Sequence, residues 1–575
     1  MRLQPILDIA ELCVQKGAIQ AVVCPGSRCA PLTLAFARHE GITVRTFSDE
    51  RSAAFVAMGI AQQTLSPSIL VCTSGSAAYN FAPAVAEAFF QEIPLLVFTS
   101  DRPKEWIDQL DGQTIRQNNI FGAHVKKSFT LPEDYDHPDS VWFIHRVINE
   151  AINLSQEFPK GPVHINAPFR EPLYPAKGEK ITFSKNIKVI STSTFTESLS
   201  EIEVAEFKKK LGSFSKVLVV AGQNDFNDEL TKGIDKFSNT NHAPLVGDII
   251  SNLHSLEATV RYSDSFLSAC DEDVQRSLQP ELLISFGKSI ISKNTKVFLR
   301  KYKPKEHWHI QQAGTPADTF QSLTKVIRCE PKLFFKLLAL DKKEEGFANQ
   351  KKENYLRLWQ AEEHRTVHSM NSYFEDSAFS EISLLKEFMS VLPLRCNLHL
   401  ANSMAVRYAN LIGIAAGKKG IHVYANRGAS GIDGCTSTSV GHALSNEAPN
   451  FLITGDMAFF YDRNAFWHNY QLPNLHVLVL NNHGGIIFNM IDGPGNVPEL
   501  DKLFVTEQSL TAKHLTNEFG FDYLPVDSLK KIKNSLKEFF IFEGKTKILE
   551  LESGQKENIE AFKKFKEQIK KGYGA

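Results

Sequence analysis

The chain lacks most of the features that mark a special class. Its 575 residues carry 64 Lys and Arg against 65 Asp and Glu, a net charge of −1, so no global field favours nucleic acid or a membrane surface. No apolar run approaches the roughly 18 residues of a membrane-spanning helix. The start, MRLQPILDIAELCVQKG, is polar and periodic, the pattern of an amphipathic helix and not of a signal peptide. Eight cysteines form no CxxC pair, which fits a reduced, cytoplasmic setting better than a disulfide or zinc scaffold. No GxGxxG follows the first strand and no GxxxxGK[ST] occurs, so dinucleotide and P-loop readings lack support. There is also no GxSxG or comparable pairing of nucleophile and base.

What is present is a recurring alternation. A chain of this length exceeds one core and suggests about three or four domains. Three sections emerge, at 1–180, 203–345 and 380–575, and together they predict an α/β fold of three doubly wound parallel-sheet domains. The first carries the strand-like runs IQAVVCPGS, ITVRTFSDE, SILVCTSGS, PLLVFTSD and GPVHINAP. The second has shorter ones, KVLVVAG, APLVGDI, LLISFG and VFLRKY. The third has LHLANS, HVYANRG, NFLITGD, LHVLVLNN and TKILELE, then a Lys/Glu-rich helical tail. A Ser/Thr/Lys-rich linker at 177–202 and a charged, helical linker, DKKEEGFANQKKENYLRLWQAEEHRT, separate them. Open parallel sheets bind ligands beyond the carboxyl ends of their strands, so the strand-end residues carry the question of function.

Asp456 and Asn482 each end a buried strand, 26 positions apart. If the strands are neighbours, a carboxylate and an amide oxygen project from one sheet edge, a pair suited to Mg²⁺ and, through it, to phosphate. Gly484 supplies a backbone carbonyl nearby and, with Gly485, lets the chain approach a diphosphate closely. The alternative is that Asp456 caps the next helix and Asn482 makes a turn. Glu50 starts an Ala-rich helix, where it either stabilises the helix dipole or points into a cleft towards a bound heterocycle. Arg28, Arg102, Arg116, Arg407 and Arg427 stand beside small or polar residues near strand ends, with Ser27, Gln113, Asn402 and Ser403 among them. One such arginine is usually a structural ion pair. Five suggest a polyanionic ligand.

The order PGSR, DERSAAF, TSGSA, DRP, IRQ, GPVHINAPFREPLY, ANS, NRGASGIDG, GD and NNHGG resembles the 2-succinyl-5-enolpyruvyl-6-hydroxy-3-cyclohexene-1-carboxylate synthases, thiamine-diphosphate enzymes of menaquinone biosynthesis. The resemblance covers essentially the whole chain. It implies a pyrimidine-binding, a central and a diphosphate-binding domain, in that order, and a homodimer or dimer of dimers with active sites at the subunit interface. It implies decarboxylation of 2-oxoglutarate and addition of the resulting carbanion to isochorismate, with thiamine diphosphate and Mg²⁺ or Mn²⁺. By motif, Glu50 matches the glutamate that hydrogen-bonds the cofactor's aminopyrimidine. Asp456, Asn482 and the Gly484 carbonyl match the metal ligands. Ile432 matches the apolar prop beneath the bent cofactor, and Ile487 and Phe488 match the wall beside the reactive centre. Ser27, Arg28, Arg102, Gln113, Lys293, Asn402, Ser403, Arg407 and Arg427 match positions that handle substrate carboxylates and hydroxyls, Ser403 and Arg427 lying also on the cofactor side and Ser403 and Arg407 near the chemistry. Lys296 competes with Lys293. Met457 and His483 depart from the commoner superfamily pattern. The competing expectations are another thiamine-diphosphate decarboxylase or carboligase, and a non-catalytic nucleotide-binding regulator.

Overall fold

The computed structural model describes residues 4–193, 198–339, 347–490 and 497–574. The apolar runs form three six-stranded sheets. The first contains β1 (Gln20–Val23), β2 (Thr43–Thr46), β3 (Ser68–Cys72), β4 (Leu95–Asp101), β5 (Ser128–Thr130) and β6 (Val163–Pro168) in the order β2-β1-β3-β4-β6-β5. All its pairings are parallel. Every residue of β3, β4 and β6 is buried, as a parallel sheet covered on both faces requires.

The second sheet contains β7 (Val217–Ala221), β8 (Leu245–Gly247), β9 (Thr259–Val260), β10 (Leu282–Phe286), β11 (Glu306–Ile310) and β12 (Lys325–Ile327), ordered β12-β11-β10-β7-β8-β9. One expectation fails here. VFLRKY is not a strand, because most of it lies in the helix Lys293–Lys301. Ser292 caps that helix, its hydroxyl accepting the Thr295 N–H at 3.1 Å, and Thr295, Phe298 and Leu299 form its buried stripe. A short apolar run does not distinguish the two periods by itself. The strand is EHWHI instead, with His307 and His309 held inside by the Ser285 hydroxyl at 2.6 and 2.9 Å.

The third sheet contains β13 (Cys396–Leu400), β14 (Ile421–Tyr424), β15 (Asn450–Gly455), β16 (Leu475–Asn481), β17 (Asp522–Val526) and β18 (Lys547–Glu552), ordered β14-β13-β15-β16-β18-β17. Counted along its own segment, that is the order of the first sheet. The likeness of the two sections, visible in the sequence only as a shared style, is thus one of topology.

The linker is not loose. Ile181, Phe183 and Ile187 pack on the first core, and the Asn149 side chain donates to the Lys188 carbonyl (3.1 Å) and accepts from the Ile190 N–H (2.7 Å). Its residues 194–197 lie outside the described residues, as do 340–346, where the second section was expected to end and the second linker to begin. The rest of that linker is helical, Phe347–Glu375.

Packing divides the chain into two compact units: Met1–Thr194 with Asn426–Asn450 and Ala458–Leu475, and Phe195–Ala425 with Phe451–Met457 and His476–Ala575. Within the first, the helix Cys435–Ala443 crosses the helix Glu50–Thr64 backbone against backbone. A Cβ on Gly59 would stand 2.2 Å from the Thr438 carbonyl oxygen, and one on Gly441 2.2 Å from that of Val56. Within the second, the Asn252 side chain pairs with both backbone groups of Val423 (2.7 and 3.0 Å) and the Gln223 amide donates to the Ala425 carbonyl at 2.9 Å. Among the described residues no helix is long and apolar enough to cross a membrane. All eight cysteines are buried, and none is in a disulfide.

Candidate active site

β15 and β16 are neighbours, so Asp456 and Asn482, the residues after each, leave adjacent strand ends. Asp456 opens the short helix Asp456–Tyr461 and is 1% exposed. Burial pushes its carboxyl up to about 6, against the Gln508 side chain, which donates to Oδ2 at 2.7 Å. The same Gln508 amide reaches Asn481 Oδ1 at 3.1 Å. Asn482 donates from Nδ2 to Glu381 Oε1 at 2.7 Å, and its Oδ1 is buried with no hydrogen-bond partner. Glu381 is fully buried; desolvation pushes it up to about 7, the Asn482 bond pulls it down and the Asp456 charge pushes it up again.

Gly484 closes the turn. A Cβ there would lie 2.9 Å from Val505 Cγ1 and 3.0 Å from Gln555 Nε2, while the Gly485 N–H donates to the Val505 carbonyl at 2.7 Å. The donor set is a buried carboxylate, an orphaned amide oxygen and the backbone of a turn that excludes side chains. Hard oxygens of this kind fit a divalent cation that takes the rest of its shell from water and phosphate. Among the described residues no group of three His, Cys, Asp or Glu could hold a metal, so side-chain acids and imidazoles alone do not build a centre there.

The same unit holds the substrate-side candidates of the later sections. Ser403 precedes the helix Met404–Ile412 without a side-chain capping bond, at φ +70° and ψ −130°, a region that costs a serine about 1–3 kcal/mol. Arg407 donates back to the Ser403 carbonyl at 2.6 Å, and Asn402 beside it is buried. Ile487 and Phe488 lie on the short helix Ile487–Met490, with the Phe488 ring 5.8 Å from Phe504. Lys293 is exposed at the start of its helix. Lys296 donates to the Ile290 carbonyl at 3.1 Å, within its own turn. Asp248, fully buried and pushed up to about 6 by desolvation, accepts the N–H groups of Ile291 and Ser292, the latter at 3.0 Å. Asn410, on the helix of Arg407, donates to the other Asp248 oxygen at 3.4 Å and accepts the Ile249 N–H at 2.9 Å. One acid thereby ties the turn of Lys293 to the helix of Arg407.

The first unit holds the rest. Glu50 begins its helix behind the Asp49 cap, which accepts the Ser52 N–H at 3.1 Å. Its carboxylate accepts from Asn80 at 3.3 Å, in a shallow pocket with Ser48, Arg51 and Trp467. Ser27 and Arg28 follow β1; a Cβ on Gly26 would stand 2.3 Å from Thr73 Cβ, so this turn lies on the one after β3. Arg28 is nearly buried and donates to the Phe169 carbonyl at 2.9 Å. Arg102 pairs with Asp111 at 3.2 Å and donates to the Gly112 carbonyl at 2.8 Å, which brings it to the segment of Gln113. Gln113 is exposed, at φ +56°. Arg116 and Asp108 form an exposed pair at 3.0 Å. Arg427 and Ile432 belong to the loop 426–434, whose backbone is held by Glu87. Arg28, Arg102, Arg116 and Arg407 therefore all have partners in their own chain, and the number of arginines is a weaker pointer to a polyanion than the sequence suggests.

Glu381, Gln508, Glu87 and Asp248 went unnoticed in the sequence. Glu87 left one signal: a lone acid in the otherwise apolar helix APAVAEAFFQ.

The model for the thiamine pyrophosphate enzyme N-terminal TPP binding domain matches residues 8–121, and that for the middle domain of thiamine pyrophosphate enzymes matches 186–400. The chain is a thiamine-diphosphate-dependent enzyme. A protein of Cytophaga hutchinsonii is 42% identical over 572 residues, covering 99% of this chain and 100% of its own. One of Flavobacterium johnsoniae is 38% identical, covering 98% of each, and one of Bacteroides thetaiotaomicron is 34% identical, again covering 98% of each. All three are named 2-succinyl-5-enolpyruvyl-6-hydroxy-3-cyclohexene-1-carboxylate synthase, and the chain belongs to that family.

Proposed function

We propose that this chain decarboxylates 2-oxoglutarate and joins the remaining four-carbon unit to isochorismate, forming the carbon–carbon bond of 2-succinyl-5-enolpyruvyl-6-hydroxy-3-cyclohexene-1-carboxylate in menaquinone biosynthesis. The observation that carries the reading is the orphaned Asn482 Oδ1 beside buried Asp456 at adjacent strand ends. Asp456, that oxygen and the Gly484 carbonyl hold Mg²⁺ or Mn²⁺. Thiamine diphosphate, when bound, supplies the electron sink for loss of CO₂ and the nucleophilic carbon. The chain does the remaining work. Glu50 holds a proton at its carboxylate, shared with the aminopyrimidine. Ile432 props the cofactor, and Ile487 and Phe488 keep water from the reacting carbon. Ser27, Arg28, Arg102, Gln113, Lys293, Asn402, Ser403, Arg407 and Arg427 receive the substrates' carboxylates and hydroxyls, with Lys296 as the competitor of Lys293.

The domains in this reading are 1–180 for the pyrimidine, 203–345 for the centre and 380–575 for the diphosphate. Two subunits, or a dimer of dimers, complete each site at their interface. A cytoplasmic setting is supported by eight buried cysteines outside any disulfide. A nucleotide-binding regulator is disfavoured by the switch point of the second sheet, between β7 and β10, where such ligands bind. A Cβ on Gly222, after β7, would lie 2.1 Å from the Lys288 carbonyl after β10, and the Gln223 amide is given to Ala425, so the chain fills its own crevice.

The test is CO₂ release from 2-oxoglutarate with thiamine diphosphate and Mg²⁺, with and without isochorismate. Fast release only with isochorismate, and the coupled product by mass spectrometry, is expected. Release from pyruvate instead would keep the cofactor and replace the substrates. No release and no cofactor binding would overturn the reading.

A further inference from the structure

The loop NRGASGIDG, 426–434, carries Ile432 at its middle with 38% of its surface exposed, and something other than packing must hold it. Three successive backbone N–H groups, of Gly428 (2.6 Å), Ala429 (2.7 Å) and Ser430 (3.1 Å), donate to one carboxylate, that of Glu87 on the helix Ala82–Gln91. Glu87 is 2% exposed, and Gln91 donates to its Oε1 at 2.7 Å. The carboxylate is thus met by four donors, in the manner of a backbone anion nest. Burial pushes this carboxyl up and the three N–H groups pull it back.

The rest of the loop is shaped to this contact. A Cβ on Gly428 would stand 2.7 Å from the Glu87 carbonyl oxygen, so only glycine comes this close. Ser430, the last of the three donors, takes φ +65°, in the left-handed region. At the far end Gly434, at φ +70°, leaves no room for a Cβ, which would lie 2.1 Å from the Phe55 ring. The loop is pinned at both ends, with Ile432 between the pins. A buried acid is costly unless fully hydrogen-bonded, and an apolar residue would have filled this helix face at no such cost.

We propose that Glu87 is a positioning residue: it fixes the backbone of 428–430 and so sets where Ile432 stands against the cofactor. This rests on the reading of Ile432 given above. Glu87→Gln keeps the shape but replaces one acceptor oxygen by NH₂, setting donor against donor at Gly428 or at Ala429 and Ser430. Gly428→Ala disturbs the same contact from the loop side, and serves if the first variant does not fold.

The measurements, on the full chain, are hydrogen exchange of the 426–434 amides, melting temperature, thiamine diphosphate affinity with Mg²⁺, and kcat and KM for each substrate. Either variant is expected to speed exchange at 428–430 and to lower kcat at saturating cofactor at least about tenfold, as misplacement at a reacting centre does, with both KM values within about twofold. Unchanged kcat with faster exchange would overturn the proposal alone. So would a lower melting temperature with unaltered kcat, which would make Glu87 merely structural. Failure of the wild-type chain to bind thiamine diphosphate would overturn the reading of the site, and the proposal with it.

Discussion

Glu381 Oε1 accepts the Asn482 Nδ2 hydrogen at 2.7 Å, and that contact decides which end of the amide is left for a cation. An amide offers a donor and an acceptor. With the donor given to a buried carboxylate, the oxygen faces the other way. Partners that orient a metal ligand commonly influence affinity by about 10–100-fold. Glu381→Gln keeps the volume but removes the charge and offers either atom to Asn482. It is expected to weaken Mg²⁺-dependent binding of thiamine diphosphate about tenfold or more by calorimetry. Wild-type affinity would mean that the orientation is set elsewhere.

Glu50 is separable from the helix it begins, because Asp49 makes the cap. Glu50→Gln is expected to leave melting and cofactor affinity near wild type while turnover falls about 10²–10⁴-fold, the range of a lost proton-transfer group. Near-normal turnover would remove Glu50 from the mechanism.

Gly441 stands where two helices touch through their backbones. Gly441→Ala places a methyl into the Val56 carbonyl and is expected to destabilise by about 1–3 kcal/mol, read as a lower urea midpoint at unchanged slope. Wild-type stability would show that the helices separate freely.

His164 is buried between the Thr99 and Ser128 hydroxyls (2.7 and 2.8 Å), and burial pushes it down to about 3. The unfolded chain binds a proton at the ordinary value of about 6.5, so the contribution to stability is full above that pH and is lost as pH falls towards 3. In His164→Gln, stability is expected to fall less steeply between about pH 6 and 4, by up to ~1.4 kcal/mol per pH unit. His254, His307, His468 and His476, each held down to about 4 by burial, keep the slope from vanishing. Equal slopes in variant and wild type would mean that His164 is charged in the fold.

Five strands in each of the first and third sections were legible, because most are runs of β-branched or large apolar residues stopped by Gly, Ser, Asp, Asn or Pro; β5, the three-residue SFT, was too short to stand out. EHWHI was not, since its two histidines read as polar, and the serine on the next strand that bonds both of them is visible only in the fold. DYLPV carries Pro525, which a central strand would not tolerate; β17 lies at the edge of its sheet, where a missing N–H is harmless. At the site, Asp456 and Asn482 were visible as strand ends, and adjacency made them a pair. Glu381 was not visible, because a first-turn glutamate reads as a helix-dipole residue wherever it occurs. Asp248 was hidden for a similar reason: an acid after a short strand is common, and only the fold shows that it joins two turns.

The crossing of Glu50–Thr64 and Cys435–Ala443 also bears on how the chain is made. About 370 residues separate the two helices, roughly 20 to 70 s of synthesis at common elongation rates. For that interval the Gly59 face of the earlier helix has no partner from its own chain, although the first sheet it lies on has already left the ribosome. The N-terminal third must therefore wait, partly bare, for a segment from the last quarter. A chain that stalls before residue 435 presents that uncovered face to chaperones and proteases.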